Sequence, residues 1–222
     1  QRYHMNDVKV FYQNEDLWQI SSEIYGTEEQ AMSPNYYIMK LPGEDSAEFV
    51  NSIPFTPKDK KNLMGLFVAR NDGENYGELI LYQMPKSQTV YGPMQIEAQI
   101  DQNTEISKEF SLWNSSGSKY SRGNMFVVPI EDSLLYIEPV YLEATNSSIP
   151  EVKRVIVVYG DNIAYEATLA EALNSMFGEG SAYERADSSN TDTTAGGNGD
   201  ELSQTEIIQR AQEAFDNAQD AQ

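Results

Sequence analysis

The chain has no cysteine, one histidine (His4), and only 15 basic residues against 35 acidic ones over 222 positions. Without thiols there are no disulfides, thiolate nucleophiles or cysteine zinc sites, although the compartment stays open. A single histidine excludes multi-histidine zinc centres. It also leaves any Ser-His-Asp chemistry hanging on a residue close to the chain start. The net charge of −20 creates a field that repels phosphate backbones and anionic lipid headgroups, which disfavours nucleic-acid binding and peripheral membrane docking. No hydrophobic run approaches the roughly 18 residues that a membrane-spanning helix needs. No signal peptide opens the chain and Gln1 is not an initiator, so it reads as an excised piece of a longer protein.

What is present is a globular composition over residues 1–177, with 40% hydrophobic residues overall. The pattern predicts an α+β domain with a mainly antiparallel sheet and a few packed helices. A helix is expected over Glu15–Tyr25, with Leu17, Ile20 and Ile24 on one face and Gly26 as terminator. Strands are expected at Tyr36–Leu41, Leu66–Arg70 and Glu78–Gln83, the last two joined as a hairpin through Asn71-Asp72-Gly73 and Gly77. Met94, Ile96, Ala98 and Ile100 alternate with polar residues as in a half-buried strand, though Pro93 would also suit a helix start. Asn103 or Thr104 caps a helix carrying Ile106, Phe110 and Trp113. Met125–Ile130, Leu134–Leu142 and Val155–Tyr159 are rich in strand formers. Thr168 and Glu171 have capping-box spacing for a helix that buries Leu169, Ala172, Leu173 and Met176 and ends at Gly178. Residues 178–202 form an acidic, Gly/Ser/Thr-rich segment with little to bury, expected to be a flexible linker. Residues 203–222 then read as one amphipathic helix, capped by Ser203 and Glu206, with Ile207, Ile208, Ala211 and Phe215 on its apolar stripe. That stripe could pair with a second copy of the chain.

Several local patterns fall in a familiar order. Tyr3-His4-Met5, Phe11-Tyr12 and Leu17-Trp18 come first, then Tyr36-Tyr37, Leu41-Pro42-Gly43, Phe55-Thr56-Pro57, Asn62-Leu63-Met64 and Tyr76-Gly77. They continue through Met84-Pro85-Lys86, Tyr91-Gly92-Pro93-Met94-Gln95, Leu112-Trp113-Asn114, Arg122-Gly123-Asn124, Pro129 to Tyr136 and Pro150 to Val155. This run resembles the C-terminal soluble region of a large uncharacterised bacterial family of multi-pass integral membrane proteins. The Leu66-Phe67 pair departs from that pattern, where a tryptophan is expected. The resemblance implies a region outside the cytoplasm that follows several transmembrane helices, with its own transmembrane region and an unknown membrane or envelope protein as partners. It also implies that the final helix normally continues into a second one, and it implies no activity.

Residues able to do chemistry are few. His4 reads as a packing or capping residue rather than a general base. Ser116-Gly117-Ser118-Lys119 has the Ser-x-x-Lys spacing of penicillin-recognising enzymes without their companion motifs, and reads as a polar turn. Glu131 and Asp132 lie in a turn between two strands and Glu138 on the second strand. Such a group could supply an acid and a base if burial raised one of their pKa values, but adjacent acids in a turn are ordinarily solvated. Arg122 is expected to pair with one of these carboxylates. Asn190, Asp192, Thr194, Asn198 and Glu201 approximate a twelve-residue calcium loop, except that Ala195 replaces its turn glycine. No catalytic, cofactor-binding or metal-binding residue is assigned. The expected function is a non-catalytic interaction or structural module. A carboxylate-based hydrolase of the cell envelope and a ligand- or calcium-binding sensor are the alternatives.

Overall fold

The computed structural model describes residues 4–115, 117–130, 132–144 and 149–178. All of them lie in one unit, Gln1–Glu184. The expected linker, terminal helix and calcium-like loop lie outside the described residues, as do Ser116 and Glu131.

The fold is α+β, with two five-stranded antiparallel sheets and a separate hairpin. Each large sheet is organised by one long strand that carries two short strands along one edge. A short helix, α1 (Val8–Gln13), precedes β1 (Trp18–Ile20) and the hairpin β2 (Ser22–Tyr25) and β3 (Glu28–Ala31). In the first sheet β5 (Ala47–Pro57) pairs with β1 and β4 (Asn35–Lys40) along one edge and with β6 (Gly65–Arg70) along the other; β6 then pairs with β7 (Leu79–Gln83). In the second sheet β10 (Ser133–Ala144) pairs with β8 (Ser118–Arg122) and β9 (Phe126–Ile130) on one edge. Its other edge holds β11 (Glu151–Tyr159), followed by β12 (Asn162–Glu166). Helices α2 (Pro93–Gln102) and α3 (Thr104–Ser115) connect the sheets in sequence, and α4 (Leu169–Phe177) closes the described part.

Burial follows the strand alternation. Tyr136 and Val140 of β10 and Ile156 and Val158 of β11 face the main core, together with Val50, Leu66, Val68, Ile96, Ile100, Ile106 and Phe110. The opposite face of the second sheet, through Leu135, Val155, Val157 and Ala164, packs against Ala172 of α4. Because both faces of β11 are covered, Val155–Val158 is a continuous apolar run. Leu169, expected inside, is 40% exposed, since α4 meets the sheet through Ala172, Leu173 and Met176.

The expected helix over Glu15–Tyr25 is not formed; the segment makes β1 and β2 instead. Trp18, Gln19 and Ile20 pair with Pro57, Thr56 and Phe55, and Ser21 and Glu23 are fully buried. These are alternate positions of an extended chain, and pairing with β5 and then β3 outweighs the weak helical spacing of Leu17, Ile20 and Ile24. Gly26 turns the β2–β3 hairpin with φ of +67° rather than ending a helix. At Met94–Ile100 the helix prevails over the strand. Pro93 opens α2, and the Gln95 side chain accepts from the Gly92 N–H at 3.0 Å. Asn103 caps α3 as expected, its Oδ1 accepting from the Glu105 and Ile106 N–H groups.

The start of α2 fixes a tight contact. A Cβ at Gly92 would fall on the Lys61 carbonyl oxygen and within 3.2 Å of Thr56 Cγ2. Gly92→Ala is therefore expected to lower unfolding stability by about 1–3 kcal/mol through overpacking, measured as a lower urea midpoint at unchanged slope.

Candidate functional site

Arg122 closes β8, where it pairs with Val140, and alternation turns its side chain to the main-core face. The same parity on β10 places Glu138 between Tyr136 and Val140, so the two charges meet inside. Arg122 Nε donates to Glu138 Oε1 at 2.5 Å and Nη2 to Oε2 at 2.9 Å, a bidentate pair. Nη2 also meets Glu97 Oε2 of α2, and Nη1 donates to Asp101 Oδ1 at 2.8 Å. Glu97 sits on the buried face of α2 with Pro93, Ile96 and Ile100, and its Oε1 accepts from the Ile24 N–H at 3.1 Å. The Arg122 backbone exchanges two hydrogen bonds with Gly26 of the β2–β3 turn. Near this centre lies Glu23, whose Oε2 accepts from the Met125 N–H at 2.8 Å.

Three carboxyl groups thus meet one guanidinium, two of them (Glu97 and Glu138) almost wholly buried, and a further buried carboxyl, Glu23, is held by the Met125 N–H. Burial pushes Glu97 up to about 8, with the Glu138 charge adding to the rise and Arg122 opposing it. Burial likewise raises Glu138, against the pull of Arg122, and Glu23, against its bond from Met125. Burial opposes the charge on Arg122 too, but Glu138, Glu97 and Asp101 more than offset it and keep the guanidinium protonated. The cluster joins β8, β10, α2 and the β2–β3 turn. Charge-assisted bonds to one guanidinium thus tie these elements together.

Arg70 forms a second, shallower cluster. It is bidentate to Glu48 (2.8 and 2.6 Å) and reaches Glu44 at 2.8 Å and Glu78 at 3.2 Å. His4 stacks on Trp18 with ring centroids 3.6 Å apart, and its Nε2 lies 2.9 Å from the Asp16 carbonyl oxygen. This is the packing role expected of it, in a well-covered position. Lys119 and Ser118 belong to strand β8, so the Ser-x-x-Lys segment runs into a sheet rather than forming a turn throughout.

Of the carboxylates considered in the sequence, Asp132 and Glu138 are not brought together. Asp132 is exposed while Glu138 is buried on Arg122, and about 20 Å of extended chain separates them. The 5–10 Å spacing of paired glycosidase carboxylates is out of reach. Glu97, which does share the Arg122 guanidinium with Glu138, leaves no clear mark in the sequence. Read as a strand, 94–100 assigns Glu97 to the wet face; read as a helix, it shares a face with Ile96 and Ile100. Among the described residues no group of metal-ligating side chains converges, and no helix is long and apolar enough to cross a membrane.

A separate concavity of about 950 Å³ opens between β7, residues 84, 85 and 88–91, residues 132–134 at the start of β10 and the β11–β12 turn. Its walls include Tyr82, Met84, Tyr91, Leu134 and Tyr136, with Asp132 and Asp161 also at the surface of the site.

Two outcomes are expected of the cluster. Arg122→Met leaves the buried carboxyls unpaired and should cost about 3–5 kcal/mol at pH 8. The loss should be smaller at pH 5, where those groups take up protons; urea unfolding at both pH values checks this. In the parent chain, Glu97 binds its proton more tightly folded than unfolded. This contribution is therefore fully present below its ordinary value of 4.5 and is lost as pH rises through about 8. Unfolding free energy should fall across that window by a few kcal/mol, at about 1.4 kcal/mol per unit of pKa difference. Glu97→Gln should flatten the slope, and an unchanged slope would refute the assignment.

Known proteins resemble this chain over most of its length. A UPF0182 protein of Alkaliphilus metalliredigens is 60% identical over 177 residues, covering 79% of this chain and 19% of the relative. Another from Pelotomaculum thermopropionicum is 50% identical over 192 residues, 86% of this chain and 21% of the relative. A third, from Moorella thermoacetica, is 45% identical over 218 residues, 98% of this chain and 24% of the relative. The chain thus spans about a fifth to a quarter of the length of these curated relatives. No solved structure matches it. Residues 1–113 match the family described as "Uncharacterised protein family (UPF0182)", and the chain belongs to that family.

Proposed function

We propose that this chain is an extracytoplasmic domain of a multi-pass membrane protein, acting as a non-catalytic interaction or structural module beside its own transmembrane region. The observation that carries the non-catalytic part is the Arg122 cluster. Glu97 and Glu138 are engaged with Arg122 and Glu23 with the Met125 N–H, and none of the three lines the open concavity. The shift is a consequence of core burial here rather than of tuning for acid–base work. The resemblance noted in the sequence supports the location, and most of the relatives' length lies outside the matched region. The net charge of −20 favours a face turned to water over one lying on anionic lipid.

The location is tested with Glu74→Cys in the full-length protein on a cysteine-free background. Glu74 is exposed in the β6–β7 turn. A membrane-impermeant maleimide should label it in intact cells, and labelling only after lysis would overturn the location. Reproducible turnover of an ester, glycoside or peptide substrate that disappears in Asp132→Asn would overturn the non-catalytic reading.

A further inference from the structure

The concavity beside β7 has a consistent chemistry. Its volume of about 950 Å³ lies at the upper end of small-ligand sites. Tyr82, Tyr91, Tyr136 and Tyr159 contribute aromatic surface, and Met84 and Leu134 aliphatic surface. Two of the tyrosine hydroxyls are engaged within the protein. Tyr136 donates to the Tyr91 carbonyl, and Tyr159 lies 3.2 Å from Ser133 Oγ. Those residues present rings rather than free donors.

The charges are of one sign. Asp132 and Asp161 line the site, and among the described residues no lysine, arginine or histidine does. The fold brings the two aspartates to the same end. Tyr136 pairs with Val158, and continuing that register sets the Gly160–Asp161 turn beside Asp132–Leu134. Gly160, with φ of +59°, makes that turn. An anionic ligand would meet two carboxylates, no cation and the field of a chain with net charge −20. A cation with an apolar body would meet ring faces and two carboxylates, and aromatic faces attract cations.

We propose that this concavity is a binding site for a small organic cation, an ammonium or guanidinium group carrying an aromatic or alkyl body. The body lies against Tyr82, Tyr91 and Met84, and the cationic head lies at the end bearing Asp132 and Asp161. The assignment is independent of where the domain lies relative to a membrane.

Three probes with one body and different heads test it by calorimetry on the 222-residue chain: phenethylammonium, 2-phenylethanol and phenylacetate. The ammonium should bind saturably, and the alcohol and carboxylate at least tenfold more weakly. The Asp132→Asn/Asp161→Asn double variant should weaken ammonium binding at least tenfold at an unchanged thermal midpoint. The control Asp45→Asn/Asp59→Asn, which removes the same charge from exposed positions outside the site, should leave binding as it was. Absence of ammonium binding, equal binding of the alcohol, or equal losses in the two double variants would each overturn the proposal.

Discussion

The structure depends on a guanidinium buried among carboxyls. Arg122 reaches Glu138 across its own sheet, Glu97 and Asp101 on α2, and through its backbone the β2–β3 turn. These elements come from distant parts of the chain and meet at one residue. Charge-assisted bonds to one fork of donors define how they meet. Three buried carboxyls near a single guanidinium are an imbalance that an interior cannot sustain fully ionised, so burial raises the proton affinities of Glu23, Glu97 and Glu138. Such a cluster adds little net stability compared with apolar packing; it restricts which partners can meet.

The same economy governs the contact between the sheets. Asn35 Nδ2 donates to the Met125 carbonyl at 2.8 Å, and the Tyr37 hydroxyl bridges Ser52 Oγ and the Val127 carbonyl. These bonds satisfy one carbonyl just before β9 and one within it that would otherwise be buried unpaired. Around them Leu66, Ile96, Ile106, Phe110 and Val140 supply the apolar mass. The cluster and the concavity are separate regions, one filled by its own charges and the other open and lined by tyrosine. A protein with one histidine and no cysteine can still be chemically selective in the second region, because selection there rests on ring faces and two aspartates.

Sequence reading succeeded where one face of an element alone carried the signal. β6 and β7, β9 to β11, α3 and α4 show alternation, β-branched runs or caps that need no distant partner. It failed at Glu15–Tyr25, where pairing with β5 overrides local spacing. It left Met94–Ile100 open, because an alternating pattern there coincides with a helix whose Pro93 and Gln95 supply the cap. Strand β5 leaves no clear trace in the sequence, because its inward positions include Glu48, Ser52 and Thr56, which break the apolar alternation.

The sequence by itself determined the α+β class, the acidic balance and the absence of thiol and multi-histidine chemistry, since these follow from composition and local pattern, and its likeness to known sequences determined the family. It also suggested that Arg122 would find a carboxylate. Only the tertiary structure decided which one. Glu138 is inward by its strand parity, Glu97 by the helical phase of α2, and Asp132 stays wet in its turn. The concavity likewise exists only in three dimensions, because it needs the ends of two hairpins and a loop from the other sheet to meet. Contacts between residues far apart in the chain leave no local trace, and here those contacts set both the buried charges and the open site.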